Sequence, residues 1–324
     1  MKNNDILDLV IIGAAAAGSA AAVYAARRNL NFVVVTKDIG GEVALSGEVE
    51  NWPGTVHTTG FKLAQDFHEH MKSYNVPIEE GYEVVSIQAV KNYHIVTTKN
   101  SLGEKKTYTA KAVIISSGIH PRLLNIPGEK EYYGRGVTYC TVCDGPLYRG
   151  KVTATVGGGN SALESALMMA GIATKVYLIT KYPNTKENNW GFPKGENILI
   201  EKIKEHANIE VIYNANTKEI VNDGSFVSGL IYEDTDSKEE KRIDIQGVMV
   251  HVGQIPNSNF VLCGSKNTIG EIEVDTKCKT NCPGIFAAGD VTNVPFKQIA
   301  IAAGHGVTAA LSAIEYINKW KEEV

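Results

Sequence analysis

Leu9-Val10-Ile11-Ile12-Gly13-Ala14-Ala15-Ala16-Ala17-Gly18 is the stretch that decides the fold. The four apolar residues read as a strand, and Gly13 as the tight turn that ends it. An Ala-rich helix follows from about Gly18 to Arg28, then a second apolar strand at Phe32-Val33-Val34-Val35. Strand, turn, helix and strand in close succession make a βαβ unit, which requires a parallel sheet. The same order recurs further on: Val152–Val156, then Gly157-Gly158-Gly159, a helical stretch Ser161–Ala170, and Lys175–Ile179. Two such units in one chain argue for two nucleotide-binding domains.

Between and beyond these units, Lys111–Ser116 reads as a strand that ends at Ser117-Gly118, and Gly247–Val252 as one that ends at Gly253. Pro121 and Pro256 follow the two strand ends and mark changes of chain direction. The expectation is an α/β protein with two Rossmann-like, three-layer domains, the second inserted in the first. The first domain spans 1–117 and 248–324, and the insertion spans 118–247. Residues 83–110 and 217–246 alternate polar and apolar positions and read as antiparallel meanders.

A chain of 324 residues is long enough for about two domains. Its 44% hydrophobic and 21% charged residues are those of an ordinary globular protein, which excludes disorder, collagen and coiled coil. A net charge of -4 argues against a general nucleic-acid binder. Leu9–Ala26 is the one uncharged stretch that invites a membrane reading. Asp5 and Asp8 before it are wrong for a signal peptide, and its Ala/Gly interior gains little from lipid. No membrane role is expected.

Gly13–Gly18 follows the dinucleotide pattern G-x-G-x-x-G with Ala15 at the second glycine. The helix N-terminus behind it offers unpaired N–H groups to a pyrophosphate. A plain turn of any α/β protein has a similar look. Gly157-Gly158-Gly159-Asn160-Ser161-Ala162 fits G-x-G-x-x-A between strand and helix, as the mechanism requires. Gly284–Asp290 is a strand running into Gly289-Asp290, where a carboxylate can accept a ligand hydroxyl or cap a helix. Cys140-Thr141-Val142-Cys143-Asp144 pairs two thiols at i and i+3 with an adjacent acid. A redox dithiol is favoured over half a zinc site, with Asp144 either an acid/base or a solvated turn residue. Cys263, Cys278 and Cys282 read as spare thiols, with a Cys278–Cys282 disulfide as the alternative. His57, His120, His251 and His305 read as polar loop or capping residues.

Together these motifs, with Gly40-Gly41-Glu42, Glu50-Asn51-Trp52-Pro53-Gly54 and Gln298, resemble the low-molecular-weight thioredoxin reductases over nearly the whole chain. The resemblance implies FAD in the discontinuous domain, held by Gly13, Ala15, Ala16, Gly18, Gly41, Glu42, Asn51, Gly118, Gly289, Asp290, Gln298 and Ile299. It implies a pyridine nucleotide at Gly157, Gly159, Asn160 and Ser161. Electrons would pass from nicotinamide to flavin, then to Cys140–Cys143, then to a thioredoxin-like protein. Cys143 would face the flavin, Cys140 would attack the substrate, and Asp144 would act as acid/base. A cytoplasmic homodimer is also implied.

Three departures stand out. Ala15 replaces a glycine, and Glu42 stands where the family commonly has Gln. Thr180–Lys186 carries no Arg where NADPH-specific members grip the 2′-phosphate, and Lys does not reproduce bidentate guanidinium contacts. The donor therefore stays open among NADPH, NADH and reduced ferredoxin. A dithiol oxidase that passes electrons to oxygen, and a non-enzymatic flavin sensor, are the competing readings.

Overall fold

The computed structural model describes residues 6–46 and 48–321; Asp5 lies outside them. The chain forms two compact units, Met1–His120 with Ile255–Val324, and Pro121–Gln254.

In unit 1 the opening stretch forms β1 (Ile6–Ala14), α1 (Ala16–Arg27) and β2 (Phe32–Ile39). There follow α2 (Gly41–Leu45), β3 (Glu48–Val49), β4 (Thr58–Thr59), α3 (Gly60–Ser73), β5 (Ile78–Glu80), β6 (Tyr82–Val90), β7 (Tyr93–Asn100) and β8 (Lys105–Ile115). The chain crosses through β9 (Ile119–Pro121) into unit 2. There it forms β10 (Val137–Thr138), α4 (Thr141–Asp144), β11 (Val152–Val156), α5 (Asn160–Ala170) and β12 (Lys175–Ile179). Next come α6 (Asn197–Glu205), β13 (Ile209–Ile212), β14 (Ala215–Asn222), β15 (Val227–Asp234), β16 (Glu240–Asp244) and β17 (Gly247–Val250). It returns through β18 (Gln254–Pro256) and completes unit 1 with β19 (Ile285–Ala287) and α7 (Ile299–Lys319).

The sheet of unit 1 runs β5-β2-β1-β8-β7-β6, with β19 also on β8. Its β5, β2, β1, β8 and β19 are parallel, while β7 and β6 continue as an antiparallel meander. Side chains alternate across a strand, so neighbours face opposite cores. Leu9, Ile11, Val34, Ile114 and Phe286 pack toward α1, α3 and α7. Val10, Ile12, Val33, Val113 and Ile115 pack on the other face with Val84, Ile87, Val96 and Val261. Each such buried branched side chain contributes about 1.5–3 kcal/mol.

By length and composition α7 could also cross a membrane, a feature that reading Leu9–Ala26 alone overlooks. Its Ala302, Gly306, Ala309, Ala310 and Ala313 are buried. A Cβ at Gly306 would lie 2.0 Å from the Ala17 carbonyl oxygen, so α7 rests almost backbone to backbone on α1. Leu9–Ala26 itself divides between β1 and α1.

Unit 2 carries the parallel sheet β10-β17-β11-β12-β13 and the antiparallel sheet β14-β15-β16. Helices α5 and α6 pack on one face of the parallel sheet through Leu163, Ala166, Met169, Ile200 and Ile203. Ile220, Leu230 and Tyr232 of the antiparallel sheet cover the other. The sequence reading returns the chain to the first domain at 248. In the structure β17 is hydrogen-bonded between β10 and β11, so 248–254 belong with unit 2. Likewise 118–120 fall in unit 1. The apolar run at 247–252 has the same composition as a strand of either sheet, and only its pairing tells them apart.

Candidate active site

In unit 1 the turn after β1 is built for close approach. Gly13 has φ +101°, and a Cβ at Gly18 would fall 1.8 Å from the Gly13 carbonyl oxygen. Ala15 stands at the N-cap of α1, and no side chain caps that helix. Its first-turn N–H groups, starting at Ala16, are free to face an anion. Gly41, at φ +51°, leaves the Ala15 methyl room, since a Cβ there would lie at an ordinary 3.5 Å. Asn51 Nδ2 donates to Gln298 Oε1 at 3.3 Å, joining two residues 247 apart in sequence. Gln298 is the N-cap of α7, ahead of Ile299. Gly118, with φ +67°, lies three residues past β8 and has open space where a Cβ would stand.

Asp290 sits with Gly289 in a short 3₁₀ turn after β19 rather than capping a long helix. Among the described residues its carboxylate has no hydrogen-bond partner. Burial pushes its pKa up to about 6; Lys297 opposes this and Glu42 adds to it. A half-buried carboxylate without a hydrogen-bond partner, at the carboxyl end of a parallel sheet, fits a ligand hydroxyl. Together with the uncapped α1 and the glycine cradle, it fits a flavin dinucleotide. Glu42 itself pairs with His120 at 2.5 Å, so its charge has a partner.

In unit 2 Cys140 and Cys143 are joined as a disulfide and are only partly buried. Cys140 is the N-cap of α4; the Cys143 N–H donates to its Sγ at 3.3 Å. That N–H would stabilise a thiolate on Cys140. Burial raises the Asp144 carboxyl above the usual carboxylate range, although the Thr138 hydroxyl donates to it and lowers it. Burial, with the nearby Asp144, also pushes Tyr148 up to about 12.

The second glycine turn is as tight as the first. A Cβ at Gly157 would lie 2.3 Å from the His251 carbonyl oxygen, and one at Gly158 would lie 2.9 Å from the Tyr182 ring. Gly159 is the N-cap of α5, which no side chain caps. Ser161 is exposed. The Asn160 amide is engaged elsewhere: Nδ2 donates to Glu196 Oε1 at 2.9 Å, and Oδ1 accepts the Glu196 N–H at 2.8 Å. Glu196 thus stands beside this turn, and nothing in its local sequence points there. Lys181 is exposed, with Nζ 5.4 Å from the Tyr182 ring centre.

One expectation changes. Cys278 and Cys282 do not pair; Cys263–Cys282 is the disulfide, and Cys278 is a buried free thiol. Cys278 packs into the core under α1 and α7, whereas Cys263 and Cys282 pack on the opposite face of the sheet. His251 lies in the loop, as read, but it has a definite partner. It follows β17, is partly buried, and its Nε2 lies 2.7 Å from Thr141 Oγ1. Among the described residues no group of three or more His, Cys, Asp or Glu could hold a metal.

Residues 7–306 match the family of pyridine nucleotide-disulphide oxidoreductases. The chain is 36% identical over 325 residues to a subunit of alkyl hydroperoxide reductase from Escherichia coli, covering 99% of this chain and 60% of that protein. It is 38% identical to a NADH dehydrogenase of Bacillus subtilis, covering 96% of this chain and 58% of that one. The chain thus spans about three fifths of the length of the curated relatives it matches. Its fold is similar to the thioredoxin reductase from Streptococcus pyogenes, with a TM-score of 0.88, 33% identity, and coverage of 98% and 100% of the two chains. With the dithiol, the two glycine turns and 300 residues of continuous match in place, this chain belongs to the pyridine nucleotide-disulphide oxidoreductase family.

Proposed function

We propose that this chain is a flavin-dependent disulfide reductase that passes two electrons from a reduced nicotinamide dinucleotide through Cys140–Cys143 to the disulfide of a thioredoxin-like protein. The observation that carries the reading is the Cys140–Cys143 disulfide, set beside a carboxyl that burial keeps ready to hold a proton. The likeness to the Streptococcus pyogenes thioredoxin reductase supports the choice of partner.

Gly13, Ala15, Ala16, Gly18, Gly41, Asn51, Gly289, Asp290, Gln298 and Ile299 would hold FAD, which supplies a two-electron relay between donor and disulfide when bound. The chain's own residues do the rest. Reduction of the pair breaks one S–S bond and adds two electrons and two protons, leaving Cys143 as a thiol and Cys140 as a thiolate beside a protonated Asp144. Asp144 holds one of these protons. Cys140, with the Cys143 N–H aimed at its sulfur, is the better thiolate and attacks one sulfur of the partner's disulfide. A mixed disulfide forms, and the partner's other sulfur leaves and takes the proton from Asp144. Cys143 then attacks Cys140 Sγ, restores the internal bond and expels the second partner sulfur, which takes up the Cys143 proton so that the partner leaves as a dithiol.

For the donor, the reading is NADH at least as readily as NADPH. Lys181 and Lys186 are the only cations in Thr180–Lys186, and neither offers the fork that a 2′-phosphate prefers. A relative named NADH dehydrogenase supports the same choice. Anaerobic titration of the purified yellow protein with NADH, NADPH and reduced ferredoxin, one at a time, tests it through flavin bleaching. NADH should bleach the flavin at least as fast as NADPH. Bleaching by ferredoxin alone would remove the nicotinamide donor. Cys143→Ser should keep its colour and lose thioredoxin reduction; turnover of a protein disulfide in that variant would remove the dithiol from the route.

A further inference from the structure

His251 is locked in place by its backbone. Its N–H donates to the Val156 carbonyl at 2.8 Å, and its own carbonyl abuts Gly157. One residue past β17, its ring reaches the side on which α5 packs, where Ser165 lies. There Nε2 meets Thr141 Oγ1 at 2.7 Å, and Thr141 Oγ1 meets Ser165 Oγ at 2.6 Å. Ser165 Oγ in turn lies 3.4 Å from Thr155 Oγ1. Thr141, Ser165 and Thr155 are all buried, so water cannot readily substitute for these partners. Thr141 follows Cys140 directly and is the first residue of α4. A helix of four residues has too few internal hydrogen bonds to hold its own direction. Contacts from outside fix its aim: Thr138 Oγ1 accepts the Cys140 N–H and donates to Asp144, and the Thr141 hydroxyl ties the first residue to His251 and Ser165.

We propose that His251 is a positioning residue: its ring holds Thr141, Thr141 orients α4, and α4 aims the Cys143 N–H at Cys140 Sγ. The inference deepens the reading of Cys140–Cys143 as the exchanging pair and rests on it. Burial pushes the His251 ring down to about 4, so it stays neutral at every pH where the thiols titrate. A change in thiol behaviour between pH 5 and 9 therefore reports on geometry and not on a charge gained at His251.

The test uses the flavin-loaded full chain, reduced with dithiothreitol and alkylated with iodoacetamide. Peptide-resolved mass spectrometry gives the Cys140 rate from pH 5 to 9. His251→Leu removes the polar ring, His251→Gln keeps a hydrogen-bonding group, and Thr141→Val removes the hydroxyl at constant shape. Loss of one N–H···S⁻ bond should move the Cys140 profile upward by about half to one pH unit, or roughly three- to tenfold slower alkylation at pH 7. His251→Leu and Thr141→Val should shift it alike, the double variant no further, and His251→Gln should restore most of the wild-type profile. A His251→Leu profile that superimposes on wild type overturns the proposal. So does a double variant in which the two shifts add. If the variants show these shifts but no donor reduces the wild-type disulfide, the positioning stands and the catalytic reading falls.

Discussion

Asp290→Asn should make the flavin-free chain more stable and the flavin-loaded chain harder to form. The carboxyl is raised from 3.8 to about 6, first by burial and then by Glu42. Its neutral form is favoured in the fold, and that advantage is fully present below 3.8. It is lost as pH rises through about 6, because the fold must then bury a charge that the unfolded chain leaves in water. Above that window the cost to the apo fold is about 3 kcal/mol. Asparagine has no such charge. At pH 8 the apo variant should exceed wild type by up to about 3 kcal/mol, or about 6–12 °C for a domain of this class. At pH 3.5 the two should differ little. Loss of a charge-assisted hydrogen bond to a flavin hydroxyl should weaken FAD binding about 10- to 150-fold. Calorimetry of the stripped proteins at both pH values and a fluorescence titration with FAD measure the two effects. A difference in stability that does not change with pH would refute the unpartnered carboxylate. Unchanged FAD affinity would refute its role.

Other perturbations give equally definite expectations. Gly306→Ala places a Cβ 2.0 Å from the Ala17 carbonyl oxygen, whereas Gly304, in the same helix, has open space. Denaturant melts should show Gly306→Ala losing about 3 kcal/mol or more and Gly304→Ala gaining up to about 1 kcal/mol. Cys263–Cys282 closes a loop across 19 positions, so Cys282→Ser should cost about 3 kcal/mol in unit 1 if the loop is constrained mainly through the unfolded chain. An unchanged melting temperature would show the bond to be idle. Asp144→Asn should leave donor-driven flavin bleaching intact and slow reduction of the protein disulfide about 100-fold or more, as for a lost general acid. Equal slowing of both steps, seen by stopped flow, would place Asp144 elsewhere in the cycle.

What was legible from the sequence is local in character. β1, α1 and β2 announce themselves through an apolar run, a glycine and an alanine series within a few turns of chain. Cys140 and Cys143 are three residues apart, so one turn of α4 brings their sulfurs together. Contacts between distant residues were not legible, because composition does not say which face of a sheet a residue meets. Cys278 and Cys282 lie close in sequence, yet they face opposite cores, and Cys282 finds Cys263 instead. β17 could have paired in either sheet, and its hydrogen bonds to β10 and β11 decide the boundary. His251 reaches Thr141 across 110 residues, and Asn51 reaches Gln298 across 247. Residue order sets periodicity, turns and neighbouring thiols, because those depend on a few consecutive dihedral angles. Burial, pKa and partnership at Asp290 and His251 depend on how whole layers close over them, and only the tertiary structure decides that.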